Sequence, residues 1–194
     1  MNLLDRPFWV FDLDGTLTEP ILDFPAIKRA LGLPIDRGIL EEIAKMEPEQ
    51  ARVTHAKLAE IELGYARKAQ EAPGASVLLE ALANRNVTLG ILTRNKKDLA
   101  LVTLEAIGCG HFFKPEFVFG RDEAEHKPSP QGLHRLMALW DCAPQEAVMV
   151  GDYLFDLQAG KEAGMATVYV DHTKAFPYKD YADLCLSQLD ELVS

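Results

Sequence analysis

Residues Phe8-Trp9-Val10-Phe11 form an unbroken apolar run that stops on Asp12-Leu13-Asp14-Gly15-Thr16-Leu17. A short run apolar throughout predicts a strand buried on both faces, as parallel sheets require. Its first charged side chain then lies at the strand's carboxyl end, where open α/β sheets place their ligands. Two carboxylates one residue apart cannot fill a core, because burying them unpaired costs several kcal/mol or neutralises them. The pair calls for a positive charge nearby.

The rest of the chain supports a sheet of this kind. From Ala75 onward, helical and apolar-strand patterns alternate. Helix is expected at Ala75–Ala83, strand at Val87–Leu92 ending on Thr93, and helix from an Asn95 N-cap to a Gly108 stop. A short strand follows at Phe117–Phe119, then helix from Ser129-Pro130 to Trp140 and strand Ala147–Val150 ending at Gly151-Asp152. A helix closing at Gly164, strand Ala166–Val170, a short strand Asp183–Leu186 and a last helical turn over Gln188–Val193 complete the series. Such alternation predicts βαβ units and a mostly parallel, doubly wound α/β sheet.

Residues 18–73 interrupt it with helical patterns alone: Phe24 to Leu31, Arg37 to Met46 capped by Asp36, and Pro48 to about Ala72. In the last of these, His55, Leu58, Ile61 and Tyr65 share a stripe at helical spacing, the pattern of a packed helix face. The block reads as a helical cap inserted into a core formed by residues 1–17 and 74–194.

Four strand ends carry polar residues: Asp12 with Asp14, Thr93, Lys127, and Asp152 with Asp156. Each has a structural alternative, such as a helix cap or a solvated lysine. In this order, however, they match Asp-x-Asp-Gly-Thr, a strand-end Thr, Lys-Pro and Gly-Asp-x-x-x-Asp. On those motifs the chain resembles the haloacid dehalogenase-like (HAD) phosphohydrolases, in the subgroup with a small helical cap that includes phosphoglycolate phosphatases.

The resemblance implies a Mg²⁺-dependent phosphatase acting on a small phosphorylated metabolite through an aspartyl-phosphate. Asp12 would be nucleophile and metal ligand, and Asp14 the general acid and then base, with its backbone carbonyl on the metal. Asp152 would ligate the metal, and Asp156 would act from behind through water or by orienting its neighbours. Thr93 and Lys127 would be catalytic and phosphate-binding, with backbone N–H groups around Leu13, Asp14 and Arg94 completing the cradle. Relatives often place Asn directly after the motif-two Thr; here Arg94 stands there, open between substrate and solvent, and Asn95 is expected to cap the helix. Arg37, Lys45, Arg52 and His55 are unranked candidates for specificity in the cap.

A phosphomutase is the alternative within the family, and a phospho-acceptor signalling module the alternative outside it. Asp14 and the helical insertion argue against the module, because a persistent phospho-switch gains nothing from an adjacent acid. Asp14 also argues against a dehalogenase, whose halide leaves without a proton.

A net charge of −10 argues against nucleic-acid binding, which demands clustered Lys and Arg. Cys109, Cys142 and Cys185 are scattered and predict neither zinc site nor disulfide framework. No leader-like or membrane-length apolar stretch is present, so a soluble, cytoplasmic monomer is expected.

Overall fold

A computed structural model describes residues 3–21 and 23–193. Among these residues six parallel strands form one sheet: β1 (Phe8–Phe11), β2 (Thr88–Leu92), β3 (Val118–Phe119), β4 (Ala147–Gly151), β5 (Ala166–Val170) and β6 (Leu184–Leu186), in spatial order β3-β2-β1-β4-β5-β6. This is the doubly wound order whose direction reverses between β1 and β4, opening a crevice at their carboxyl ends. Phe11 pairs with Ile91 on one side and Val150 on the other, so the residues after β1, β2 and β4 emerge side by side.

Alternation along the strands fills two apolar layers. Trp9 and Phe11 pack with Leu78, Leu79 and Leu82 of α4 (Ala75–Ala83) and Ala100 and Leu104 of α5 (Lys97–Ala106). Val10 and Met149 face the other way, against Leu133, Leu136 and Met137 of α6 (Gln131–Trp140) and Ala159 of α7 (Leu154–Glu162). All three cysteines are free thiols. Among the described residues no helix is long and apolar enough to cross a membrane.

Between β1 and α4 lie α1 (Phe24–Leu31), α2 (Ile39–Ile43) and α3 (Pro48–Ala66). They gather around a separate small cluster of Ile27, Leu33, Ile43 and Leu58. Asp23 caps α1 by accepting the Ala26 N–H at 2.9 Å.

Two helices are shorter than the sequence predicts. The middle one runs over Ile39–Ile43 rather than Arg37 to Met46. It starts at Gly38, whose carbonyl accepts the Glu42 N–H, and Asp36 does not cap it. The third stops at Ala66 rather than about Ala72. Its intended last turn is needed elsewhere: the Gln70 carbonyl accepts from Glu19, and the Ala72 N–H donates to Leu17, each at 2.9 Å. Those bonds stitch the returning chain to the loop after β1, and tertiary pairing overrides local helical preference.

Candidate active site

The turn after β1 is built by backbone geometry. Gly15 has φ +94, and a Cβ there would meet Asp152 Oδ2 at 2.5 Å. Only glycine supplies that conformation and that approach without strain. The turn brings Thr16 Oγ1 to 3.1 Å from Asp152 Oδ1, which accepts its proton. Asp12 is fastened to the neighbouring strand through its N–H on the Val150 carbonyl, 2.9 Å.

Lys127 arrives from the loop after β3 and is buried, with an exposure of 2%. Its ammonium donates to Asp12 Oδ1 at 2.5 Å, to the Leu92 carbonyl at 2.6 Å, and to Asp156 Oδ1 at 2.7 Å. An ammonium has three donors, so protein acceptors engage all of them. Burial alone would lower its pKa, but the two carboxylates outweigh burial and hold it charged, above its ordinary value. The other oxygen of Asp156 accepts the Tyr153 N–H at 3.0 Å.

Asp12, Asp152 and Asp156 bring carboxylate oxygens within 4.8 Å of one another. Burial is the main force raising the pKa values of Asp152 and Asp156; Asp12 adds repulsion to both, while Lys127 pulls Asp156 back. Three carboxyl groups thus gather about one ammonium. An all-oxygen donor set with surplus negative charge is the chemistry that a hard divalent cation satisfies, and the residues present fit one.

Asp14 lies apart from that trio. Burial, and secondarily the charge on Asp12, push its pKa up to about 7, while a hydrogen bond from the Asn95 side chain opposes the rise. A carboxyl that holds its proton near neutrality can act as an acid there.

Asn95 therefore does not play the expected role of helix cap. The residue at the start of α5 is Lys96, without a side-chain cap bond. Asn95 Oδ1 instead accepts the Lys96 N–H at 2.8 Å, leaving its amide to meet Asp14. The Asn95 N–H donates to Thr93 Oγ1 at 3.0 Å, which orients that hydroxyl at the end of β2. Arg94 turns away from the sheet: its guanidinium pairs with Glu41 at 2.6 Å and lies 5.3 Å from the centre of the Phe155 ring.

One contact was not anticipated from the sequence. Arg121, beyond β3, makes two 2.9 Å bonds to the carboxylate of Glu62 on α3. The side chains are only 6% and 12% exposed. The Arg121 N–H also donates to the Asn95 carbonyl at 2.9 Å, tying the β2 and β3 loops together. At Gly120 a Cβ would fall on the Lys97 backbone nitrogen, so this approach requires glycine. Residues 59 apart with no shared motif left no signal that could have paired Glu62 with Arg121.

The structure thus brings Asp12, Asp152, Asp156 and Lys127 into direct or near contact, with Asp14 and Thr93 linked through Asn95. The sequence model of the haloacid dehalogenase-like hydrolase family matches residues 21–170. The chain belongs to the haloacid dehalogenase-like hydrolase family. A hydrolase-domain protein of that family from Arabidopsis thaliana is 33% identical over 188 residues, covering 89% of this chain and 74% of the relative. A phosphoglycolate phosphatase from Rhodospirillum rubrum is 30% identical, covering 84% of this chain and 78% of its own length. In structure, a haloacid dehalogenase-like hydrolase from Bacteroides fragilis superposes with a TM-score of 0.80 at 20% identity, covering 96% of this chain and 99% of that one. This last likeness bears on the fold alone. The chain is a HAD-like hydrolase with an α/β core.

Proposed function

We propose that this hydrolase is a phosphatase that cleaves a small phosphate monoester through an aspartyl-phosphate on Asp12. The observation that carries the reading is the division of labour between two neighbouring carboxyls. Asp12 is paired to a charged lysine at 2.5 Å, while Asp14 is held near neutrality by burial. A nucleophile must be ionised and an acid must keep its proton, and these environments provide one of each.

With one Asp12 oxygen held by Lys127, the other attacks phosphorus as the ester P–O bond breaks. The departing alkoxide takes the Asp14 proton. Asp14, now a carboxylate, removes a proton from water, which attacks the same phosphorus. Phosphate is released, and the Asp12 carboxylate and the Asp14 acid are both restored. The Thr93 hydroxyl and the backbone N–H groups of Leu13, Asp14 and Arg94 cradle the phosphoryl oxygens. Lys127 offsets charge on Asp12 from behind, since its donors are already taken by protein acceptors.

Mg²⁺ fits the donor set, with Asp12, Asp152 and the Asp14 backbone carbonyl as ligands and Asp156 as the group that positions them. When bound, it would neutralise the repulsion between an anionic ester and the Asp12 carboxylate. Helices α1–α3, within residues 18–73, act as a cap that excludes water from the sheet edge.

The test is phosphate release from a panel of phosphorylated metabolites with Mg²⁺, comparing wild type with Asp12→Asn. Turnover by the wild type and none by a folded Asp12→Asn protein is expected. A variant retaining a substantial share of the activity overturns the assignment.

A further inference from the structure

Asn95 occupies the short loop between the end of β2 and the start of α5 and is buried, with an exposure of 9%. Burying an amide is costly unless its polar groups are bonded. Each of its four polar atoms has a protein partner. The backbone N–H donates to Thr93 Oγ1 at 3.0 Å, and the carbonyl accepts the Arg121 N–H at 2.9 Å. Oδ1 accepts the Lys96 N–H at 2.8 Å, and the amide nitrogen donates to Asp14.

That division fixes which way the amide points. It has one acceptor end and one donor end. Exchanging them would set its nitrogen against the Lys96 N–H, donor against donor, so the donor end faces Asp14. The loop is also braced from outside: Arg121, which holds the Asn95 carbonyl, is clamped by Glu62 of α3 through two 2.9 Å bonds.

The chemical consequence follows from the donor count. A protonated carboxyl has one acceptor oxygen and one O–H. The Asn95 amide takes the acceptor oxygen of Asp14, which leaves the proton on the other oxygen, free for a departing alkoxide. Thr93 is arranged in the same way. Its oxygen accepts from the Asn95 backbone, so its own proton is left to donate elsewhere. One buried residue thus directs two donors.

We propose that Asn95 is a positioning residue for the reaction: its amide holds one oxygen of Asp14 so that the other presents the proton to the leaving oxygen, while its backbone N–H turns the Thr93 hydroxyl toward the phosphoryl group. The inference rests on the phosphatase reading and on the acid role of Asp14 within it.

Propyl phosphate, with a poor leaving group, and p-nitrophenyl phosphate, with a good one, provide the test. Both are assayed with Mg²⁺ for wild type, Asp14→Asn, Asn95→Ala and Asn95→Ser. The serine keeps a short oxygen for the Lys96 N–H but does not reach Asp14, so it isolates the lost contact should alanine disturb the start of α5. Both Asn95 variants are expected to lower kcat for the propyl ester roughly 10- to 100-fold, the cost of a misplaced catalytic group. The aryl ester should lose much less, and KM should stay within about 2-fold for each, because the Thr93 contact is made by backbone that the variants retain. In an Asp14→Asn background, Asn95→Ala should change the ratio of the two rates no further. A loss equal for the two esters, no loss, or a further fall in that background overturns the inference and leaves the phosphatase reading intact. An Asp14→Asn variant that slows both esters alike overturns the acid role and this inference with it. Release of phosphate from neither ester by the wild type overturns the phosphatase reading itself.

Discussion

Lys127→Met removes the ammonium at the centre of the site and leaves the carboxylates of Asp12 and Asp156 facing each other without it. The three bonds lost are those to Asp12 at 2.5 Å, the Leu92 carbonyl at 2.6 Å and Asp156 at 2.7 Å. Taking one partner from a buried ion pair costs about 3–5 kcal/mol. At the sensitivity usual for a chain of this length, this lowers Tm by roughly 6–20 °C. The deficit should also depend on pH. In the wild type the raised Lys127 pKa keeps its contribution complete below its ordinary value, so it is constant from pH 5 to pH 8. In the variant Asp152 and Asp156, already raised by burial, also lose the downward pull of Lys127, and a raised carboxyl pKa means that the folded state prefers the proton. Stability is then lost as pH climbs from the unfolded carboxylate range through the folded value, and the gap to wild type widens from pH 5 to pH 8. Thermal unfolding without metal at several pH values reads this directly. A Tm within about 2 °C of wild type at pH 8, or a gap independent of pH, would refute the reasoning that Lys127 holds this carboxylate cluster together.

Three further outcomes are expected. Asp14→Asn should slow alkyl esters by about 10²–10⁴-fold but good aryl leaving groups much less, and in the wild type alkyl-ester turnover should decline above about pH 7 as Asp14 ionises; equal losses for both ester types would contradict its acid role. Mg²⁺ should raise Tm more at pH 8 than at pH 6, because protons held by the raised Asp152 and Asp156 carboxyls compete with it; a shift as large at pH 6 would argue against these ligands. Glu62→Gln should cost about 3 kcal/mol in urea unfolding, since Arg121 is left buried without its partner; a change below about 1 kcal/mol would show the pair to behave like a surface bridge.

The sheet was legible because its strands are apolar on both faces and most of them run into polar residues. Asp12, Asp14, Thr93, Lys127, Asp152 and Asp156 could be gathered in advance because parallel strands expose all their carboxyl ends along one edge. Asn95 was misread because an amide in front of a helix serves equally well as a cap or as a donor to a distant carboxyl, and only the fold places Asp14 within its reach. Helix α3 was read too long for a similar reason. Nothing local to Gln70 and Ala72 shows that their backbone groups are claimed by Glu19 and Leu17. His55 lies on a stripe that reads as packing; Leu58 on that stripe is buried, but His55 itself lines, with Arg121, a pocket between α3 and the loops after β2 and β3.

The proposed mechanism turns on a covalent bond between Asp12 and phosphorus. The most direct measurement is the stereochemical course of turnover with an aryl phosphorothioate made chiral at phosphorus by one heavy oxygen isotope and hydrolysed in water enriched in another, so that the thiophosphate released is itself chiral. Two successive displacements, the first by Asp12 and the second by water, predict net retention of configuration. Net inversion would mean that water attacks the ester in one step, and would contradict the nucleophilic role of Asp12.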